Sequence, residues 1–277
     1  MLTRNLLAGL SRIGRKVLWR LGYQVSRRTP ANSPPPGSAQ RPVGVMRLFL
    51  EDLAARGFQP RHILDVGAHR ADWSRLAGRA FPNATFTLVE PQVELRDDLE
   101  RFCQEVPGSR YVLAGAGPRT EEKALAVFPE PDASSFVLTA AEIEARGLER
   151  RAVPLVTLDS LFELSLLPMP ELVKLDIQGF ELEALRGATR VLAAAEIVIV
   201  EVSFFPFMEN WPTVSQVIPF MADRGYEPYD VCGSLRRTYD GALGQADLAF
   251  ARRDGRLRAC PQFGKTITQG PLLKKAS

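Results

Sequence analysis

Residues 62–71 read His62-Ile-Leu-Asp-Val-Gly-Ala-His-Arg-Ala71. A short apolar run enters a glycine and two small residues, and a helical pattern begins directly after, which is the signature of a strand turning sharply into a helix. Gly67 permits the tight turn, and Ala68 and Ala71 leave little side chain between backbone and a ligand. Twenty-five positions after Asp65 the pattern returns: Ala84-Thr-Phe-Thr-Leu-Val-Glu90 is rich in β-formers, ends in an acid, and is followed by Pro91. Working outward, further strands are expected at 110–114, 123–128, 153–157, 171–176, 197–202, 226–231 and 246–252. Helices are expected at 43–56 (closed by Gly57), 71–80, 91–105 with Pro91 in its first turn, 139–146, 180–194 and 213–224. Strands alternating with helices predict an α/β doubly wound domain, a mostly parallel sheet covered on both faces.

The chain has 277 residues, 45% of them apolar and 24% charged, enough for one substantial core and too apolar for a disordered chain. No stretch approaches eighteen uninterrupted apolar residues, so no spanning helix is expected. Cys103, Cys232 and Cys260 are scattered and odd in number, which excludes a disulfide scaffold and favours a reducing, cytoplasmic setting. With only His62 and His69, a three-histidine metal centre is excluded. His62 is expected at a surface or strand edge. Of the 35 Lys/Arg, nine fall in residues 1–50 together with none of the 32 acids, so 26 bases face 32 acids in the remainder. An acid-leaning globular part argues against a nucleic-acid-binding core.

Residues 1–28 place Leu2, Leu6, Leu10, Ile13, Val17 and Leu21 on one helical face, with Arg12, Arg15, Lys16 and Arg20 on the remainder. Such a basic amphipathic helix can lie on the inner membrane surface, or pack on the domain. Residues 29–42 hold five prolines and read as a linker; 43–257 form the folded domain and 258–277 a basic tail. The Asn83-Ala-Thr85 sequon enters a strand and is read as accidental.

In doubly wound sheets, ligands bind beyond the carboxyl ends of the strands, so Asp65, Gly67, Ala68, His69, Glu90 and Asp176 command the crevice. Glu90 suits acceptance of hydrogen bonds from the two hydroxyls of an adenosine ribose. A dinucleotide is disfavoured because His69 occupies the second glycine position of G-x-G-x-x-G. Gly264-Lys265-Thr266 lacks the earlier glycine of a phosphate loop, since Ala259 stands there. A phosphate-free ligand such as S-adenosylmethionine fits the acids better.

Asp65-Val-Gly-Ala, Glu90-Pro91, Thr157-Leu-Asp-Ser, Lys174-Leu-Asp-Ile-Gln-Gly-Phe-Glu-Leu-Glu-Ala-Leu-Arg-Gly187, Val200-Glu-Val-Ser-Phe204 and Gln245-Ala-Asp-Leu-Ala-Phe250 occur in order. This set resembles the FkbM family of S-adenosylmethionine-dependent methyltransferases over roughly residues 62–252. The resemblance implies a class I methyltransferase (Rossmann-like) fold with seven strands, the last antiparallel, and O-methylation of hydroxyls on saccharides, glycolipids or other natural products. It implies that Asp65, Gly67 and Ala68 cradle the methionine end of the cofactor, with His69, Ala71 and Pro91 in the same loops. By the same resemblance Glu90 holds the ribose, Gly115 lies near the adenine, and Asp176 sits at the transfer site. His69 stands where Asn is usual, and Ala71 where Gly is usual.

An alcohol is a poor nucleophile at neutral pH, so a positioned base is expected. Asp176 leads the candidates, followed by Glu181, Glu201 and His69. A Mg²⁺-assisted variant on Asp176, Glu201 and Asp247 is weighed and set below a metal-free site. Phe204, Phe205, Phe207 and Trp211 are candidates to wall the acceptor pocket, and 129–150 reads as a mobile lid. N-methylation, or a non-catalytic module that binds the cofactor, remain alternatives to the enzyme. The sequence does not fix an oligomeric state.

Overall fold

Adjacent residues along the central strands face opposite sides of the sheet, and here both sides are apolar. The computed structural model describes residues 41–129, 133–163 and 168–261; the amphipathic segment 1–28, most of the linker and most of the basic tail lie outside them. Strands β1 (His62–Val66), β2 (Thr85–Val89), β3 (Arg110–Val112), β7 (Leu172–Leu175), β8 (Ile197–Ser203), β9 (Tyr226–Arg236) and β10 (Leu243–Arg252) form a seven-stranded sheet in the order β3-β2-β1-β7-β8-β10-β9. All pairs from β3 to β8 are parallel, while β10 runs antiparallel between β8 and β9. The antiparallel last strand matches the expectation.

Strand parity assigns the two cores. Ile63, Phe86, Leu88, Ile197 and Ile199 pack under helices α1 (Met46–Ala55), α2 (Asp72–Ala80) and α3 (Arg96–Glu105), through Phe49, Leu53, Trp73, Leu76 and Phe102. Leu64, Val66, Val173, Val198 and Val200 face the other way, onto the helices that follow β7 and β8. Because both faces are covered, the strands read as continuous apolar runs. Both helical layers leave the carboxyl ends of β1, β2 and β7 at one edge.

Several boundaries differ from the sequence expectation. The strand expected at 110–114 is shorter: pairing with β2 stops at Val112, whose carbonyl accepts from Glu90 N, and a separate β4 (Gly115–Ala116) beyond it joins another sheet. That second sheet, β4-β6-β5, is built from β5 (Glu121–Val127) and β6 (Glu149–Val156), so these two strands do not extend the main sheet. Pro91 does not open a helix; Gln92 is tied to the Glu90 carboxylate, and a 3₁₀ turn at Val93–Leu95 precedes α3. The described part of 129–150 is packed rather than lid-like: Ser135 pairs with Ala126, and Phe136, Leu138 and Ile143 are buried beside α4 (Ala140–Ala145). His62 is fully buried, held by Thr85 and Thr87 hydroxyls at 2.8 and 2.9 Å, and burial followed by the Arg110 charge pulls its pKa down to about 4.

The helix expected at 180–194 is two, α5 (Glu181–Arg186) and α6 (Thr189–Ala194). At Gly187 a Cβ would lie 2.2 Å from the Gly117 carbonyl, and the Asp159 carboxylate caps α6 by accepting from Arg190 N and Val191 N at 2.9 Å. After α7 (Val214–Ala222), the β9–β10 hairpin completes the domain.

Two glycine substitutions separate this packing from helix propensity. Gly187→Ala forces the Gly117 contact apart and is expected to cost about 1–3 kcal/mol. Gly78→Ala, whose methyl would meet Phe86 at an ordinary 3.9 Å inside α2, is expected to gain about 0.5–1 kcal/mol. Thermal unfolding of both variants checks the opposite signs; a destabilised Gly78→Ala or an indifferent Gly187→Ala contradicts this packing.

Candidate active site

A pocket opens at the carboxyl edge, lined by the ends of β1, β2, β4 and β7. Gly67, Ala68, His69, Glu90, Pro91, Gly115 and Asp176 all line it. Gly67 has φ +79°, and a Cβ there would lie 2.1 Å from the Asp176 carbonyl, so the β1 turn and the end of β7 touch backbone to backbone. His69 (φ +48°) and Ala71 (φ +60°) are also left-handed, as is Gln178 (φ +54°) beside Asp176. Left-handed backbone is costly for residues with a Cβ, and glycine and asparagine visit it most readily. That explains why Asn and Gly suit the positions that His69 and Ala71 occupy.

The amides of the β1 loop are already used. Gly67 N and Ala68 N both donate to the Val89 carbonyl, at 2.9 and 3.1 Å, and His69 N donates to Glu90 Oε2 at 2.9 Å. Gln92 contributes its backbone N–H and its side-chain amide to Glu90 Oε1, at 3.0 and 3.2 Å. Three N–H donors thus fix the Glu90 carboxylate at the pocket wall, while burial pushes its pKa up to about 7. Glu90, Asp72, Asp176 and Asp247 line the pocket against the single ammonium of Lys174.

Lys174 is the centre of a buried charge cluster. Its Nζ lies 3.2 Å from Asp176 Oδ2 and 5.8 Å over the Trp73 ring. In the sheet register it stands opposite Asp65, and the neighbouring strands set Asp247 opposite Glu201. Burial pulls the Lys174 pKa down, and the charges of Asp176, Asp65, Asp247 and Glu201 outweigh it, so the ammonium is held above its ordinary range. Asp65 is fully buried and rises to about 6, through burial, against the pull of Lys174 and a 2.6 Å hydrogen bond from Ser74 Oγ. Gln178 Nε2 bridges Asp176 Oδ1 at 2.9 Å and Glu201 Oε2 at 3.2 Å, and Gln245 Nε2 donates to the same Glu201 oxygen at 3.0 Å.

The Methyltransferase FkbM domain model matches residues 65–228, more than half of the chain and most of the pocket-bearing strands. The chain belongs to the FkbM methyltransferase family. A curated relative, the hexuronic acid methyltransferase AglP of Haloferax volcanii, is 40% identical over 158 residues, covering 57% of this chain and 61% of the relative. The chain thus spans about three fifths of that relative's length. Solved structures are more distant. An FkbM methyltransferase from Methylobacillus flagellatus shares 14% identity with a TM-score of 0.44, over 68% of this chain and 43% of the other. The O-methyltransferase TomG from Streptomyces achromogenes shares 16% with a TM-score of 0.42, over 74% and 78%.

Within this FkbM domain, not every residue marked by the sequence reaches the pocket. Asp65 lies beneath it, bonded to Ser74, and Ala71 is buried at the start of α2 with its amide on the Ala68 carbonyl. Glu181 turns inward: its Oε1 accepts from Ile177 N and Gly179 N at 3.0 and 3.2 Å, bracing the loop, and burial lifts its pKa to about 7. Glu201 is buried behind Gln178 and is absent from the pocket lining. Asp176, Glu201 and Asp247 converge on the Lys174 ammonium, and among the described residues no group of three His, Cys, Asp or Glu is placed to hold a metal ion. Of the aromatics after β8, Trp211 is buried with Nε1 on Ser203 Oγ at 2.7 Å, whereas Phe204 and Phe207 face solvent.

Lys174, Gln92, Trp73 and Gln178 were given no role from sequence. Lys174 carried one available signal: a lysine inside an otherwise apolar strand needs buried acids around it. Removing that charge while leaving its partners is expected to cost about 3–5 kcal/mol, so Lys174→Met should lower Tm by roughly 6–20 °C. Without the ammonium the Asp65 carboxyl titrates still higher than its present value of about 6. The folded variant then binds protons the unfolded chain does not, so its deficit is smaller at pH 5 than at pH 7.5. Thermal melts across that range test this; a deficit that ignores pH contradicts the charge cluster.

Proposed function

We propose that this chain is an S-adenosylmethionine-dependent O-methyltransferase whose acceptor is a saccharide hydroxyl. The observation that carries the reading is that the matched family domain forms a pocket at the carboxyl edge of the sheet, with Glu90 fixed at its wall and Asp176 at the end of β7. The saccharide follows from the relative that acts on a hexuronic acid.

The pocket's chemistry fits this cofactor better than a nucleotide. A phosphate site needs backbone N–H groups aimed at the ligand, and the first three amides of the β1 loop are spent on Val89 and Glu90. Four lining acids against one lysine favour a ligand bearing a sulfonium and an ammonium. Gly67 lets the β1 turn close onto the end of β7 beside the methionine portion, Glu90 accepts from the ribose hydroxyls, and Gly115 flanks the base. When bound, the cofactor supplies a methyl carbon that an oxygen nucleophile takes, the electron pair of the broken C–S bond remaining on sulfur.

The protein's own part is positioning and proton acceptance. Asp176 is steered by Lys174 on one oxygen and Gln178 on the other, and its remaining lone pairs orient an acceptor hydroxyl and receive its proton. Orientation of this kind is worth roughly 7–11 kcal/mol and a base a further roughly 10²–10⁴-fold. Glu181 and Glu201 act by holding the Asp176–Gly179 loop and Gln178 in place.

S-adenosylhomocysteine at 100 times its dissociation constant is expected to add about 2.7 kcal/mol, raising Tm by roughly 5–11 °C, with no shift from NAD or ATP. Because Glu90 in the free protein titrates at about 7, affinity for that ligand should weaken about tenfold per unit below pH 7. Glu90→Gln should bind weakly at every pH. No shift, or a larger one with NAD, contradicts the reading. Asp176→Asn is expected to lose at least about 10²-fold in turnover while still binding S-adenosylhomocysteine; unchanged turnover removes it from the mechanism.

A further inference from the structure

A second concavity, open to solvent, lies against the first. The two share Phe136 as a wall, and the chain passes from one to the other between Gln178 and Gly179. Strand β5 spans both on a single face: Leu125 lines the pocket and Lys123, two residues earlier, lines the groove. Two residues of strand cover about 7 Å, close to one sugar ring.

The groove is built from rings and one unneutralised charge. Phe136 and Phe180 meet with centroids 5.6 Å apart, and the Trp211 indole closes on Gly179, where a Cβ would lie 2.7 Å from the ring. Lys123 Nζ sits 5.3 Å over the Phe180 ring and makes no ion pair among the described residues. Arg186 and Glu183, which also line the groove, neutralise each other at 2.6 Å. The net charge of the described lining residues is therefore that of Lys123.

We infer that this groove is the acceptor subsite and that it takes a carboxylated saccharide, with aromatic walls against the sugar faces and the Lys123 ammonium on the carboxylate. The inference rests on the methyl-transfer reading above and adds to it the place and charge of the acceptor. Aromatic walls alone would accept a neutral sugar equally well; the Lys123 ammonium between them, without an ion pair among the described residues, is what selects an acidic one.

The test is calorimetric titration of the protein saturated with S-adenosylhomocysteine, using methyl glucuronide and uncharged methyl glucoside as probes. The glucuronide is expected to bind roughly tenfold or more tightly than the glucoside, the low end for a bond to a charged group. Lys123→Gln should erase that preference, Lys123→Arg should keep most of it, and both variants should bind S-adenosylhomocysteine as the parent does. Equal binding of the two sugars, binding of neither, or a preference that survives Lys123→Gln overturns the subsite and leaves the cofactor reading standing. Failure of the parent protein to bind S-adenosylhomocysteine overturns both.

Discussion

Lys174 is the charge on which the carboxyl edge of this sheet depends. Asp65, Asp176, Glu201 and Asp247 come from β1, the end of β7, β8 and β10, and the register sets two of them, Glu201 and Asp247, directly opposite one another. Like charges across a ladder destabilise it, and buried carboxylates without a counter-ion are costlier still. A single ammonium, itself buried, makes the arrangement tolerable. Its direct partner is Asp176, so the interaction that stabilises the sheet edge also orients the carboxylate facing the pocket. Gly233 shows how little slack remains, since a Cβ there would lie 1.9 Å from Asp247 Oδ2.

Strain is concentrated around the same pocket. His69, Ala71 and Gln178 hold left-handed backbone conformations although each carries a side chain. Such conformations persist only where surrounding contacts over-determine them, and the contacts are on hand: His69 N on Glu90, Ala71 N on the Ala68 carbonyl, and Gln178 between Asp176 and Glu201. The β1 loop is therefore rigid before a ligand arrives, and the amides of Gly67, Ala68 and His69 are spent on Val89 and Glu90.

Much of this was legible in the sequence because the fold writes it locally. A strand buried on both faces reads as a continuous apolar run, and the residue that ends it reads as a site residue; Gly67, Glu90 and Asp176 follow from that rule alone. What failed was non-local. Glu181 and Glu201 look like catalytic acids in the chain, yet one braces backbone amides four and two residues before it and the other is screened by Gln178. The break at Gly187 depends on the Gly117 carbonyl, seventy residues away in sequence. The second sheet was misplaced because β5 and β6 each read as a short charged run leading into an apolar one, and nothing in that pattern names the partner. His62 looked peripheral because the threonines that satisfy its ring lie on the adjacent strand.

The central claim is that the carboxyl-edge pocket receives S-adenosylmethionine with its ribose on Glu90. A crystal structure of the protein soaked with S-adenosylhomocysteine tests it most directly. The account predicts both ribose hydroxyls within about 3 Å of the Glu90 carboxylate, with the two backbone N–H donors to that carboxylate unchanged, the Gln92 side-chain amide displaced from it and the ligand sulfur facing Asp176. Ligand density elsewhere on the molecule, or a ribose that leaves Glu90 bonded only to His69 and Gln92, would contradict it.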